Sequence, residues 1–404
     1  MGGGRGGRDA AFPHFSDCPT RERRRRTPKA RCAGGAWRIG RWVSGADRRY
    51  PGMPTARPQP ARVGAAAVAL RALRLSGSPR KVTLDVAASA PVPQPGEALI
   101  RPLRVPLTEA DLAAAAGQTE FAGVLGSDFV GVVEGVHPVS GPEAQAWVGK
   151  RVVGSPLIPC GACDLCRRGL SPHCQQRRVL GLWKQDGALA DLFTLPIANL
   201  VEVPQTLEDD AASFANLVGA CVHASRVTRL EGKTYVTILG DGAFALVAAQ
   251  VMAKLNTSTR VLGTHNAKFS LCERGGIRHR HVSEVGRRHD QDVVVETSGE
   301  PAMLEFATHL CRPRGKVVVC GGAGPVPMEA LTQRARQLDL TAIASQEIEV
   351  LGASGGSARE GLDALAGRGV DVSVLVSRRV RLAEGLRALS LAKDPESLRV
   401  LVEP

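Results

Sequence analysis

Four cysteines fall close together in this chain. Cys160, Cys163, Cys166 and Cys174 are three, three and eight positions apart, in a stretch punctuated by Gly161, Gly169 and Pro172. Zn²⁺ prefers tetrahedral sulfur and nitrogen ligands, with Zn–S near about 2.3 Å, and a short Gly-containing loop can fold back to supply all four. Four protein ligands leave no open coordination position, so the expected metal is structural rather than catalytic. Two disulfides are the alternative pattern. The other six cysteines are scattered, however, and nothing points to an oxidising compartment. His173 is a spare ligand that the four sulfurs make unnecessary. Thiols that must stay reduced to hold zinc suggest the cytoplasm.

A second stretch with chemical meaning reads Gly240-Asp241-Gly242-Ala243-Phe244-Ala245. A Gly-x-Gly-x-x-Gly/Ala turn between a strand and a helix bends tightly and lets the backbone approach a pyrophosphate, while the helix N-terminus presents amide donors. Ala245 in the third small position sets how closely the helix packs on the sheet. The next strand ends at Gly263-Thr264-His265-Asn266-Ala267-Lys268. An acid there would accept the ribose hydroxyls of NAD, and an arginine would meet the 2′-phosphate of NADP. Neither is present. With no carboxylate to repel a phosphate, and with His265 and Lys268 able to contact one, this segment favours NADP(H) over NAD(H).

These stretches need elements to hold them. From Leu70 to about Cys221 short apolar runs broken by Gly and Pro (Leu70 to Leu75, Ala98 to Leu103, Phe129 to Val136, Arg151 to Val153, Leu192 to Leu195) predict a mainly β domain with the cysteine lobe as an excursion. After Gly232 the pattern changes to alternation. Strands are expected at Thr234 to Leu239, Arg260 to Gly263, Asp292 to Glu296, Lys316 to Cys320, Glu347 to Leu351 and Val372 to Val376. Helices are expected at Phe244 to Leu255, Ala267 to Arg274, Met303 to Cys311 and Ala358 to Leu365. Such alternation makes a doubly wound parallel sheet, giving an α/β chain overall. Leu398 to Val402 should rejoin the first domain. The expected division is 1–65 as an extension, 66–220 with the lobe at 160–174, 221–370 for the cofactor domain, and 371–404 as the return.

The formal charge of +13 is unevenly placed. Residues 1–62 carry 15 Lys and Arg against 4 Asp and Glu, so the rest of the chain is close to neutral. Rich in Gly, Arg and Pro and without periodicity, the first 65 residues read as a disordered extension, and Met53 offers an alternative start. Nucleic-acid binding is expected only through this tail, if at all. No apolar run approaches the roughly 20 residues that span a bilayer, so no membrane partner is expected.

A β-rich domain with a four-cysteine lobe, a dinucleotide loop and a return to the first domain resembles the medium-chain dehydrogenase/reductase superfamily, the zinc-dependent alcohol dehydrogenases. The likeness runs from about residue 66 to the C-terminus and matches at all four lobe cysteines; Arg312-Pro313-Arg314-Gly315 and Glu296-Thr297-Ser298-Gly299 also fit. It implies a GroES-like N-terminal domain, a Rossmann domain, a small-molecule substrate and a homo-oligomer. The family's catalytic zinc site does not match. Where the family places Cys-Gly-Thr/Ser-Asp, this chain has Thr108-Glu109-Ala110-Asp111; its Gly-His-Glu segment is Gly126-Ser127-Asp128; the third ligand position falls near Asn216. Hard neutral groups are a poor set for Zn²⁺. The resemblance therefore implies an NAD(P)(H)-dependent oxidoreductase with a structural zinc and no catalytic zinc. Hydride would pass to a small carbonyl, quinone or enone, with Thr108 and Ser127 as candidate donors to the acceptor oxygen. The competing expectation is a pseudoenzyme acting as a binding or regulatory subunit.

Overall fold

The computed structural model describes residues 70–78, 80–230, 232–255, 257–286, 288–320 and 339–404. The expectations for residues 1–65 lie outside these. Residues from Leu70 to the C-terminus belong to one contact unit, Ala65–Pro404.

Two sheets organise this unit. The first is largely antiparallel, in the order Leu200–Glu202, Arg151–Gly154, Val130–Val136, Glu97–Pro106, Arg399–Glu403 and Val376–Arg381, with Phe193–Pro196 also paired to Glu97–Pro106. Its core holds Ile100, Phe129, Val133, Val152, Phe193 and Val402, and the Phe129 and Phe193 rings meet edge-on at 4.8 Å. A small sheet of Leu70–Ser76, Lys81–Ala88 and Gly123–Val124 packs beside it, and a third, of Leu157–Ile158, Arg178–Leu180 and Lys184–Gln185, carries the cysteine lobe between its first two strands.

The second large sheet has six parallel strands in the order Arg278–His281, Thr257–Gly263, Thr234–Leu239, Gln291–Glu296, Cys311–Val319 and Glu349–Gly352. Numbered within the sheet, that is 3-2-1-4-5-6, the order of a dinucleotide-binding doubly wound fold. Its central strands are apolar on both faces, as burial between two helical layers requires: Val236, Ile238, Val293, Val295, Val317 and Val318 are all within 3 % of complete burial. The α/β class with one β-rich and one parallel-sheet domain is therefore the fold of this chain.

Two expectations need correction. Val372–Val376 is not a strand: Asp371 accepts from the Ser373 amide at 2.9 Å, Leu375 N bonds to Val372 O, and Ser373–Leu375 forms a 3-10 turn. The strand begins at Val376 and runs to Arg381, joining the antiparallel sheet next to Arg399–Glu403. The boundary expected at 220/221 falls inside a continuous helix, Ala215–Thr228. Its buried face, including Ala215, Val218 and Cys221, packs in one cluster with Val130 and Val153 of the antiparallel sheet and with Val247 and Leu362 of the cofactor domain. The helix is thus the spine joining both halves. No helix among the described residues is long and apolar enough to cross a membrane.

Candidate cofactor site and cysteine lobe

In the lobe, Cys163 caps a short helix, Asp164–Arg167, and a turn at Ser171–His173 brings the chain back to Cys174. The four sulfurs lie within 4.8 Å of one another, with Cys163–Cys166 at 3.5 Å, Cys163–Cys174 at 3.8 Å and Cys160–Cys166 at 4.0 Å. A tetrahedron with Zn–S bonds of about 2.3 Å has edges of about 3.8 Å, so the four positions fit a zinc ion. The sulfurs are far too distant for disulfides, which need about 2.05 Å. The Ala162 and Cys163 amides face the Cys160 sulfur and draw its thiol down to about 6. Desolvation, followed by the neighbouring sulfurs, pushes Cys166 up to about 12. A bound cation overrides that second effect, because a coordinating thiol is deprotonated outright.

The Gly-rich turn sits where the parallel sheet's first strand ends. Gly240 has φ +117°, and a Cβ there would lie 2.3 Å from the Thr297 hydroxyl, which donates to Leu239 O at 2.6 Å. Only glycine fits. Gly242 caps the helix Ala243–Ala253 with an ordinary extended backbone, and Ala243 and Ala245 are buried against the sheet. Thr264, His265 and Lys268 follow the second strand and gather around a carboxylate that the sequence reading assigned no role, that of Asp241. Its Oδ2 accepts from the amides of Thr264 at 2.7 Å and His265 at 2.8 Å; His265 Nδ1 lies 3.0 Å from both its oxygens, and Lys268 Nζ 3.5 Å from Oδ1. Burial alone would raise the Asp241 pKa, but the His265 bonds, the Lys268 charge and the Thr264 amide outweigh it and hold the carboxyl below its ordinary value. The premise that no carboxylate stands near this strand end is therefore corrected.

Thr108, Ser127 and Asn216 come together at the domain junction, but their polar atoms already have partners. Thr108 caps the helix Glu109–Ala115: its amide and hydroxyl donate to Asp111 Oδ2 at 2.9 and 2.7 Å, and it accepts from the Asp111 amide. Ser127 Oγ is 3.2 Å from Thr108 Oγ1 and 3.4 Å from Asp111 Oδ2, while Gly126 N donates to Asp111 Oδ1. Asp111 is fully buried, and burial, opposed by these bonds, raises its pKa. Asn216 donates to Asp128 Oδ1 at 3.0 Å and Gly154 O at 2.9 Å. Asp128 is half-buried; burial, then the nearby Asp111 charge, pushes it up to about 6. Beside them Arg399, buried, makes a two-pronged pair with Glu109 at 2.7 and 2.6 Å.

The spine helix connects this cluster to the Gly-rich loop. Asn216 touches Asp128, and Cys221 Sγ lies 3.6 Å from the Phe244 carbonyl at the start of the loop's helix. Asn216 and Cys221 are five positions apart on the helix, about 7.5 Å along the axis. A cavity of about 540 Å³ lies elsewhere, at the far end of Ala243–Ala253, lined by Val222, Arg226, Leu230, Lys254 and Leu255 among others.

The model of the alcohol dehydrogenase GroES-like domain matches residues 94–205, which hold the lobe and all strands of the antiparallel sheet except Val376–Arg381 and Arg399–Glu403. Among curated relatives, L-threonine 3-dehydrogenase of Photobacterium profundum is 29% identical over 210 residues, which is 49% of this chain and 60% of that protein. The chain thus spans rather more than half the length of that relative. The 2-dehydro-3-deoxy-L-galactonate 5-dehydrogenase of Pseudoalteromonas atlantica is 24% identical over 66% of this chain and 81% of its own. The alcohol dehydrogenase of Thermus sp. ATN1 superposes with a TM-score of 0.71 at 24% identity, covering 82% of this chain and 99% of that one. The chain carries the alcohol dehydrogenase GroES-like domain and resembles the medium-chain dehydrogenase/reductase superfamily in its fold. Within that superfamily's fold, the cofactor domain is the six-stranded parallel sheet and the GroES-like domain is the antiparallel one.

The sequence reading did not single out Asp128 or Asp241 for a role, although both stood inside quoted motifs. Their roles depend on partners 88 and 23 to 27 positions away, and no spacing rule reaches that far.

Proposed function

We propose that this chain is an NAD(P)(H)-dependent oxidoreductase with a structural zinc in the Cys160, Cys163, Cys166 and Cys174 lobe and no zinc at the domain junction, acting on a small carbonyl, quinone or enone. The observation that carries the reading is the Gly240 to Ala245 turn, formed between the first parallel strand and its helix. Gly240, Gly242, Ala243, Phe244 and Ala245 would hold the pyrophosphate at that helix N-terminus, and Thr264, His265 and Lys268 would flank the adenosine ribose. When bound, the reduced nicotinamide supplies the hydride to the carbonyl carbon. The chain must then deliver a proton to the oxygen. Thr108 and Ser127 are tied to Asp111, which suits them to shape the site and orient an acceptor. Asp128 carries a titratable proton in the same cluster and is the better acid. Homo-oligomeric assembly belongs to this reading as well.

The pKa of Asp128 sets the sign of the pH dependence. Its carboxyl is raised to about 6, so the donating form is present below that value and lost above it. Carbonyl reduction should therefore fall as pH rises through about 6, with the reverse oxidation rising over the same range. Asp128→Asn should abolish this titration and lower kcat by about 100-fold or more. A profile for Asp128→Asn identical to that of the wild type would remove Asp128 from the proposal. No feature of the site favours the binding-subunit reading, since the turn that a pyrophosphate needs is formed.

A further inference from the structure

Asp241 occupies the place where the cofactor domain would meet the 2′ position of the adenosine ribose. In a doubly wound fold that place is the end of the second strand, here Gly263, where an acid accepts ribose hydroxyls or a cation meets a 2′-phosphate. The segment after Gly263 has no acid of its own. What it has is an anion-binding set: consecutive amides of Thr264 and His265, the His265 ring and the Lys268 ammonium. All four groups lie within 3.5 Å of the Asp241 carboxylate. Asp241 and Lys268 are each 7 % exposed. Gly263 makes the approach feasible, because a Cβ at that position would lie 2.6 Å from Asp241 Oδ2. The chain's own carboxylate thus engages the donors that a phosphate would need.

Resting on the dinucleotide reading above, we propose that Asp241 is the cofactor-specificity residue of this chain, an acid donated by the Gly-rich turn that selects NAD(H) and excludes the 2′-phosphate of NADP(H). The charge of Lys268 is already matched by Asp241. A 2′-phosphate would bring further negative charge against that carboxylate and would find the two amides taken, so the discrimination is built on a repulsive element. A 2′-hydroxyl, by contrast, donates a hydrogen bond and suits a carboxylate, which offers about four acceptor sites. The role that most such folds give to an acid on the second strand is here filled from the preceding loop.

Calorimetric titration of the full-length zinc-loaded chain with NADH and with NADPH tests this. The wild type should bind NADH at least tenfold more tightly. Asp241→Asn, nearly isosteric but uncharged, should tighten NADPH binding at least tenfold, and adding Lys268→Gln should cancel that gain. Wild-type preference for NADPH, or an Asp241→Asn variant whose NADPH affinity is unchanged, would overturn the proposal while leaving the cofactor domain intact. Failure of the wild type to bind either dinucleotide would overturn the cofactor reading and this proposal with it. The wild-type ratio needs no variant, so a folding defect in Asp241→Asn cannot rescue the idea.

Discussion

Gly242→Val should leave the fold untouched and weaken dinucleotide binding about ten- to a hundredfold. Nothing lies within 4 Å of a Cβ built on Gly242, and its φ of −76° and ψ of 177° are comfortable for valine. The thermal unfolding midpoint should stay within about 2 °C of wild type, corresponding to the few tenths of a kcal/mol usual for a substitution free of steric conflict. The space beside Gly242 is where the pyrophosphate must approach the backbone. Forcing extra carbon against it costs roughly 1–3 kcal/mol, or about ten- to a hundredfold in affinity. Gly240→Val serves as the contrast. It combines φ +117° with a 2.3 Å approach to Thr297 Oγ1, so it should lose stability as well as binding. Paired calorimetric titration and thermal melts separate the two effects. Undiminished cofactor binding by Gly242→Val would show that the turn does not hold the pyrophosphate.

The second large effect concerns the lobe. Cys174→Ser should take zinc from one ion per chain to none, as read by plasma emission. Cys174 is the quartet member with no exposure, and its sulfur accepts from the Cys160 amide at 3.4 Å, so it ties both ends of the lobe together. Serine is a poor zinc ligand, and a site reduced to three sulfurs loses much of the binding free energy that organises so short a segment. The lobe has little apolar packing of its own: Leu165 is half-buried and Leu170 exposed. Loss of metal should therefore unfold the lobe locally, appearing as rapid proteolysis within 160–174 while the parallel sheet stays folded. A chain that keeps its zinc after Cys174→Ser would place the metal elsewhere.

What the sequence revealed follows the range of the interactions. The cysteine quartet lies within fifteen positions, and the Gly-rich turn is contiguous between two periodic elements, so both could be read directly. Alternation of strands and helices after Gly232 was visible because buried parallel strands such as Val293 to Val295 are apolar without interruption. Local polar chemistry misled the reading at Val372 to Val376, where apolar residues suggested a strand but Asp371 seeds a turn. Lys81–Ala88 went unread because half of it is exposed, none of it is fully buried and its burial alternates only weakly. The helix Ala215–Thr228 contains Gly219, Ala220, Ala224 and Ser225 rather than a clear apolar stripe, so a boundary was drawn through it. Nor did any sequence signal show that Asp241 would cross to the end of the next strand, or that Asp111 would gather Thr108, Gly126 and Ser127 around one buried carboxylate.

The central claim is that hydride transfer survives without a zinc ion at the domain junction. It is tested most directly by following oxidation of NADH and NADPH by the purified chain with aldehydes, quinones and enones, with zinc counted in the same sample. The account predicts turnover of at least one acceptor by protein holding one zinc per chain. Saturable cofactor binding with no turnover of any acceptor, or activity that appears only with a second zinc, would contradict it.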